Sequence, residues 1–160
     1  MRLNEIDSRP RRRVILSAAS LVASSIAAQP LAQAAAPGAA PSLDAAIAAF
    51  TRGAPVRTGK VSLDIAPLVD NGNTVPVSVS VDHPMRPDDH VSAVAIFSER
   101  NPQYEVASFT LGPASASASI ATRIRLATSQ KLVAIARLSD GSFWSQQVEV
   151  IVTLAACIED

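Results

Sequence analysis

A single thiol is the most reactive group this chain offers. Cys157 lies in Val152-Thr153-Leu154-Ala155-Ala156-Cys157-Ile158-Glu159-Asp160, and no second cysteine exists to pair with it. A thiol so near the end of a chain can be carried to a partner and can hold a covalent cargo, but it cannot close a disulfide within its own chain. The other candidates are weaker. His83 and His90 have no neighbouring cysteine and lack the spacing of a structural zinc site. His83-Pro84-Met85 sets an imidazole and a thioether one residue apart, a pair suited to copper, with Cys157 folding back to complete the site. Asp88-Asp89-His90 resembles part of a catalytic set, yet no nucleophile pairs with it. No glycine-rich phosphate loop and no telling pair of carboxylates is present. The inventory points to a protein that presents a thiol to others, not to an enzyme, and it calls for no cofactor.

The beginning of the chain specifies where that thiol would work. Arg9, Arg11, Arg12 and Arg13 form a basic cluster, Val14 to Ala28 is uncharged and apolar, and Ala32-Gln33-Ala34 follows. Basic, apolar, then A-x-A is the order of a secretory signal, here spanning residues 1–34. Arg11-Arg12-Arg13-Val14-Ile15 also fits the twin-arginine pattern, a bacterial address for proteins exported already folded. The uncharged run is short of the roughly 20 residues needed to span a bilayer, and Pro30 follows it closely. The expected location is the periplasm, with no membrane contact in the mature form. Beyond residue 34 there are 9 basic and 12 acidic residues, a net charge of −3. That balance argues against nucleic acid as a partner. The remaining length suits one domain with one core, filled by Val, Ile, Leu and Ala because aromatics are few.

The elements that must position the thiol are mostly strands. Residues 35–55 read as a proline-containing lead and one helix: Ser42 caps its start, Asp44 favours its positive end, and Gly53 stops it. Leu43, Ile47 and Phe50 share one helical face, which packs either on the domain or on a partner subunit. Residues 56–154 then change to period two. Val61, Leu63 and Ile65 alternate with polar residues, as do Val75, Val77, Val79 and Val81. Pro76 marks an edge position or a strand start, and Asn71-Gly72-Asn73 a turn. Further strands are expected over 91–98, 105–111, 118–126, 132–138 and 143–154, with Ser139-Asp140-Gly141-Ser142 as a hairpin turn. Seven short strands with turn signals between them predict an all-β, immunoglobulin-like antiparallel sandwich behind a short N-terminal helix. Phe143 and Trp144 are adjacent in the last strand, so one should be buried and the other turned outward. Residues 155–160 are left as an arm carrying Cys157.

Several stretches of the chain together resemble the SoxY family, the sulfur-carrying subunit of the periplasmic SoxYZ complex of thiosulfate oxidation. They are Asp70-Asn71-Gly72-Asn73-Thr74-Val75-Pro76-Val77 with Val79 to Met85, Ala95 to Pro102, Ser119 to Ala127, and Leu138 to Trp144. The order of signal, domain and near-terminal cysteine agrees. The resemblance implies an immunoglobulin-like sandwich, a heterodimer with a SoxZ-like subunit, and transient contact with sulfur-oxidising enzymes of the periplasm. It further implies that Cys157 is the attachment point of a covalent thiosulfonate or persulfide cargo. The family's arm ends Gly-Gly-Cys-Gly-Gly, whereas this chain has Ala155-Ala156-Cys157-Ile158-Glu159-Asp160. Alanine narrows the backbone conformations open to the arm. The carboxylates of Glu159 and Asp160 disfavour a thiolate, so the thiol should be less acidic than a glycine-flanked one. Three readings follow: a sulfur carrier, a SoxY-like binding or assembly subunit whose thiol does not cycle, and a periplasmic metal-binding sandwich using His83 and Met85, with or without Cys157.

Overall fold

The computed structural model describes residues 42–156. The expected signal (residues 1–34), the lead up to residue 41, and Cys157 with the three residues after it lie outside the described residues. The first element is helix α1 (Leu43–Thr51). The Ser42 hydroxyl accepts the Ala45 N–H at 3.1 Å, and Asp44 stands in the first turn, as the sequence predicts. The helix stops one residue before Gly53, because Arg52 itself takes the left-handed cap conformation.

Nine strands follow: β1 (Val56–Thr58), β2 (Val61–Asp64), β3 (Leu68–Val69), β4 (Val75–Val81), β5 (Val91–Ser98), β6 (Glu105–Thr110), β7 (Ser119–Ile124), β8 (Gln130–Leu138) and β9 (Phe143–Val152). One sheet runs β1-β9-β8-β5-β6, with β3 also paired to β9, and the second runs β2-β4-β7. The all-β sandwich with a short N-terminal helix is therefore what the chain forms. The expected seven strands are all present, but the count and the uniform antiparallel order need correcting. β1 and β3 are additional, and both run parallel to β9. At three and two residues they are too short to show a period-two pattern, and their pairing is set by distant residues of β9.

The inward faces carry out the packing that the alternation predicts. β4 buries Val75, Val77, Val79 and Val81 against Val94, Ile96, Leu132, Ala134 and Val150 of the larger sheet. Pro76 lies in a central strand, not at an edge. It is tolerated because it sits at the strand's start, and pairing with β2 begins only at Ser78. β5 is buried along nearly its whole length, since its sheet is covered on both faces. On the outer face Ala95, Phe97, Val133, Ile135 and Phe143 receive Leu43, Ala46, Ile47 and Phe50 of α1. The Phe50 ring meets Phe97 and Phe143 edge-on, with centroids 5.8 and 5.9 Å away. The helix face thus packs on its own domain. Phe50→Ala should lower stability by about 2–3 kcal/mol, read as a shift of the urea midpoint. An unchanged midpoint would show that the helix does not hold the sheet.

Phe143 is buried beneath α1, but Trp144 is not turned to solvent as expected. It lies on the opposite face of β9, half-buried against the core between the sheets, with Arg57 and Lys60 over its ring at 5.6 and 4.9 Å, because both faces of this strand are covered. The β8–β9 turn forms where expected. Gly141 has φ 82°, Leu138 N–H donates to the Ser142 carbonyl, and the Asp140 carboxylate accepts the Ser142 N–H at 2.8 Å. Hydrogen bonds from Ser142 hold the Asp140 carboxyl below its ordinary pKa. No helix among the described residues is long and apolar enough to cross a membrane.

Candidate functional site

The last described residues lead directly to Cys157, and they are sewn to the sandwich. After β9, Thr153 N–H donates to the Val69 carbonyl at 3.0 Å and Leu154 N–H to the Asp70 carbonyl at 3.2 Å. Gly72 N–H donates to the Leu154 carbonyl at 2.8 Å. Leu126 N–H donates to the Gly72 carbonyl at 2.8 Å, and Ala156 N–H to the Leu126 carbonyl at 3.2 Å. Three segments far apart in sequence therefore close a backbone clasp around Gly72. A Cβ on Gly72 would collide with the Leu126 carbonyl oxygen and come within 3.0 Å of the Ala156 nitrogen. Only glycine fits here, and the reason is the approach of neighbouring backbone. Ala156 itself is buried.

Covalent geometry then limits the thiol. Cys157 follows Ala156 directly in the sequence. The arm expected over residues 155–160 is thus fixed through Ala156, and its thiol belongs to the first residue past the clasp. The structure does not describe Cys157 itself.

The surroundings are built by the loops between sheets. The Asn101 amide donates to the Arg125 carbonyl at 2.8 Å, and its oxygen accepts from Ala127 N–H at 3.0 Å and Gln130 Nε2 at 2.9 Å. Gln130 is buried, and its oxygen accepts the Arg100 N–H. Asn71 closes the turn before the clasp by accepting the Asn73 N–H at 2.9 Å. Asn101, Pro102, Arg123 and Arg125 line a shallow cleft of about 410 Å³ beside Leu126. Both arginines are exposed and have no ion pair among the described residues. Leu68, Ile151 and Leu154 are 56, 59 and 61% exposed, large apolar side chains left in water at the same end of β9. The sequence read Asn71 as part of a turn and Leu126 as the end of a strand, and marked Asn101 only through the resemblance; the fold brings these stretches together beside Ala156.

The metal-binding candidates are arranged differently. Met85 is buried in the core cluster, with φ 48°, and its sulfur accepts the Val91 N–H at 3.3 Å. His83 Nε2 faces Asp89 at 3.2 Å, and Asp89 also meets Arg86. His90 ends the same β4–β5 connection, at the end of the sandwich away from the clasp, where its N–H donates to the Ser139 hydroxyl and its carbonyl accepts the Ser139 N–H. Among the described residues no three His, Cys, Asp or Glu side chains are grouped to hold a metal ion. The Asp88-Asp89-His90 run forms a loop brace and no catalytic set.

Known proteins carry the reading further. The sequence matches the family described as "Sulfur oxidation protein SoxY" over residues 47–157, so the matched stretch ends on the cysteine. No curated protein sequence matches the chain. Among solved structures, the sulfur carrier protein SoxY of Chlorobium limicola f thiosulfatophilum is similar with TM-score 0.60 and 28% identity. That match covers 69% of this chain and 91% of the other. Superoxide reductases share the fold at lower identity. The neelaredoxin of Ignicoccus hospitalis has TM-score 0.53 at 19% identity, covering 59% and 80% of the two chains. The enzyme of Nanoarchaeum equitans has TM-score 0.52 at 16%, covering 60% and 100%. At such identity the likeness is one of fold alone.

Proposed function

The chain belongs to the SoxY family of sulfur oxidation proteins, and on that premise we propose that it is a periplasmic sulfur carrier holding its cargo covalently on Cys157. The observation that supports this is the clasp: Gly72 and Leu126 hold Ala156, the residue before Cys157, at one end of the sandwich. Joining the thiol to the outer sulfur of thiosulfate forms an S–S bond and releases two electrons and a proton. A separate oxidising enzyme must accept the electrons. Hydrolysis of the adduct then frees sulfate and leaves a persulfide on the carrier. On this reading both steps fall to separate enzymes. Intact-mass analysis of the purified protein tests the proposal. Sulfur adducts confined to Cys157 are expected, and a thiol that stays bare after exposure to thiosulfate and the oxidising enzyme would refute it.

A second reading, an assembly subunit whose thiol does not cycle, draws on the same end of the molecule. Ala155 and Ala156 replace the family's glycines, and Ala156 is pinned. Export by the twin-arginine route through residues 1–34 is part of both readings.

The partner under either reading is a SoxZ-like subunit in a heterodimer. The exposed Leu68, Ile151 and Leu154 supply the apolar surface such a subunit would cover. Co-expression with a SoxZ-like protein should yield a stable heterodimer in size-exclusion chromatography, while the chain alone self-associates. A monodisperse, thermally stable monomer without a partner would count against it.

The tip tunes the thiol. The like charge of Glu159 and Asp160 should keep the Cys157 pKa from falling below that of an ordinary cysteine. Changing both to glycine should lower it and speed alkylation at neutral pH. The check is the alkylation rate across pH for the two proteins, and coincident midpoints would exclude tuning by these carboxylates.

A further inference from the structure

The Leu138–Trp144 stretch takes no part in presenting the thiol, and it lies at the other end of the molecule. β9 begins there at Phe143 and runs ten residues to Val152, about 30 Å away. At that far end a cleft of about 620 Å³ opens between the end of α1, the start of β5 and the β8–β9 turn. Arg52, His90, Ser92, Arg137 and Ser139 supply its polar lining, and no carboxylate lines it.

Its donors are held in place. Arg137 Nε donates to the Ser92 hydroxyl at 2.9 Å, and that hydroxyl donates to the Arg137 carbonyl at 3.0 Å. This reciprocal pair fixes the guanidinium and leaves its two outer nitrogens without a bond among the described residues. His90 and Ser139 are locked in the same way. His90 N–H donates to the Ser139 hydroxyl at 3.1 Å, and Ser139 N–H to the His90 carbonyl at 2.8 Å. The Ser139 hydroxyl keeps its own proton to donate. His90 lines the cleft as well, with its Nδ1 buried beneath the surface. Arg52 is held at the cleft by its left-handed cap, whose N–H donates to the Ala48 carbonyl. Neither Arg52 nor Arg137 has an ion-pair partner among the described residues. Asp140, in the same turn, is bonded back to Ser142 and does not line the cleft.

Two guanidinium groups, an imidazole and a hydroxyl from separate elements suit a compact acceptor that presents oxygens in several directions. We propose that this cleft binds a tetrahedral oxyanion of the sulfate and thiosulfate class, held by Arg52, Arg137, His90 and Ser139. The site is independent of Cys157 and stands whether or not the thiol cycles.

The test is a titration of the isotopically labelled protein, with any co-expressed partner retained, followed by backbone and histidine chemical shifts. Sulfate, thiosulfate and acetate are compared at constant ionic strength set with chloride. Saturable shifts at His90, Ser92 and Arg137 through Ser142 are expected with sulfate and thiosulfate, and not with acetate. Arg137→Gln and Arg52→Gln should each weaken binding by about tenfold, the loss of one charged hydrogen-bond donor. Arg125→Gln, at the opposite end, should leave it unchanged. Arg52 is at a helix cap, so its variant reads out binding even if Arg137→Gln fails to fold. Shifts that do not saturate across the millimolar range, that acetate reproduces, or whose midpoint is unchanged by Arg52→Gln would overturn the proposal. Reproduction by acetate would instead indicate a surface for a partner's carboxylates.

Discussion

Cys157→Ser should abolish thiosulfate-dependent sulfur oxidation in the reconstituted system while leaving the fold and any partner complex intact. The substitution exchanges one atom, and a hydroxyl at this position can form no S–S bond with the cargo. It also ionises far above the pH at which a thiol does, so no nucleophile replaces the thiolate. The residue follows Ala156, the last of the described residues, which is buried and hydrogen-bonded into the sandwich. Circular dichroism, denaturation midpoint and elution with a SoxZ-like subunit should therefore match the parent. The expected drop is to the background of the assay. Full activity in the variant would end the carrier reading and leave the assembly subunit in its place. A loss of activity accompanied by loss of the complex would instead make the cysteine structural.

Gly72→Ala should have the largest effect on stability of any single methyl added to the molecule. The new Cβ meets backbone, which cannot swing aside as a side chain can. Either the clasp opens, losing its hydrogen bonds with Leu126, Leu154 and Ala156, or the loop shifts against a packed core. The expected cost is about 3 kcal/mol, combining overpacking with lost hydrogen bonds. Two measurements separate the routes. If the clasp opens, amide exchange at Ala156 accelerates and Cys157 alkylates faster while the sandwich persists. If the loop shifts, the denaturation midpoint falls with Ala156 still protected. Parent-like stability together with parent-like exchange would mean the close approach of Gly72 to Leu126 has no energetic weight.

How much of this was legible beforehand depended on the range of the interactions. β4 was plain, because Val75, Val77, Val79 and Val81 alternate with residues facing out, and alternation is a local property of the strand. The cap at Ser42 and the turn at Ser139–Ser142 were equally local. Cys157 stood out by being unique. β1 and β3 were not visible, since a pair of two or three residues is specified by its partner on β9 and not by its own pattern. Gly72 read as an ordinary turn residue. Its actual constraint comes from Leu126 and Ala156, more than fifty residues away. The resemblance supplied those stretches as a set without saying why they belong together. The oxyanion cleft was invisible for the same reason. Arg52, His90 and Arg137 come from three elements whose neighbourhood exists only after folding.

The parallel pairing of β3 with β9 has a mechanical side. A client enzyme that grips the cargo and withdraws would pull on Cys157, and the load would pass through Ala156 and Thr153 into β9. That strand is bonded to β8 from Phe143 to Val150, to β1 at one end and to β3 at the other. A pull along it loads all these bonds at once, in shear, and cannot peel them one by one. On the proposed reading, β9 would resist unravelling from the end that leads to Cys157.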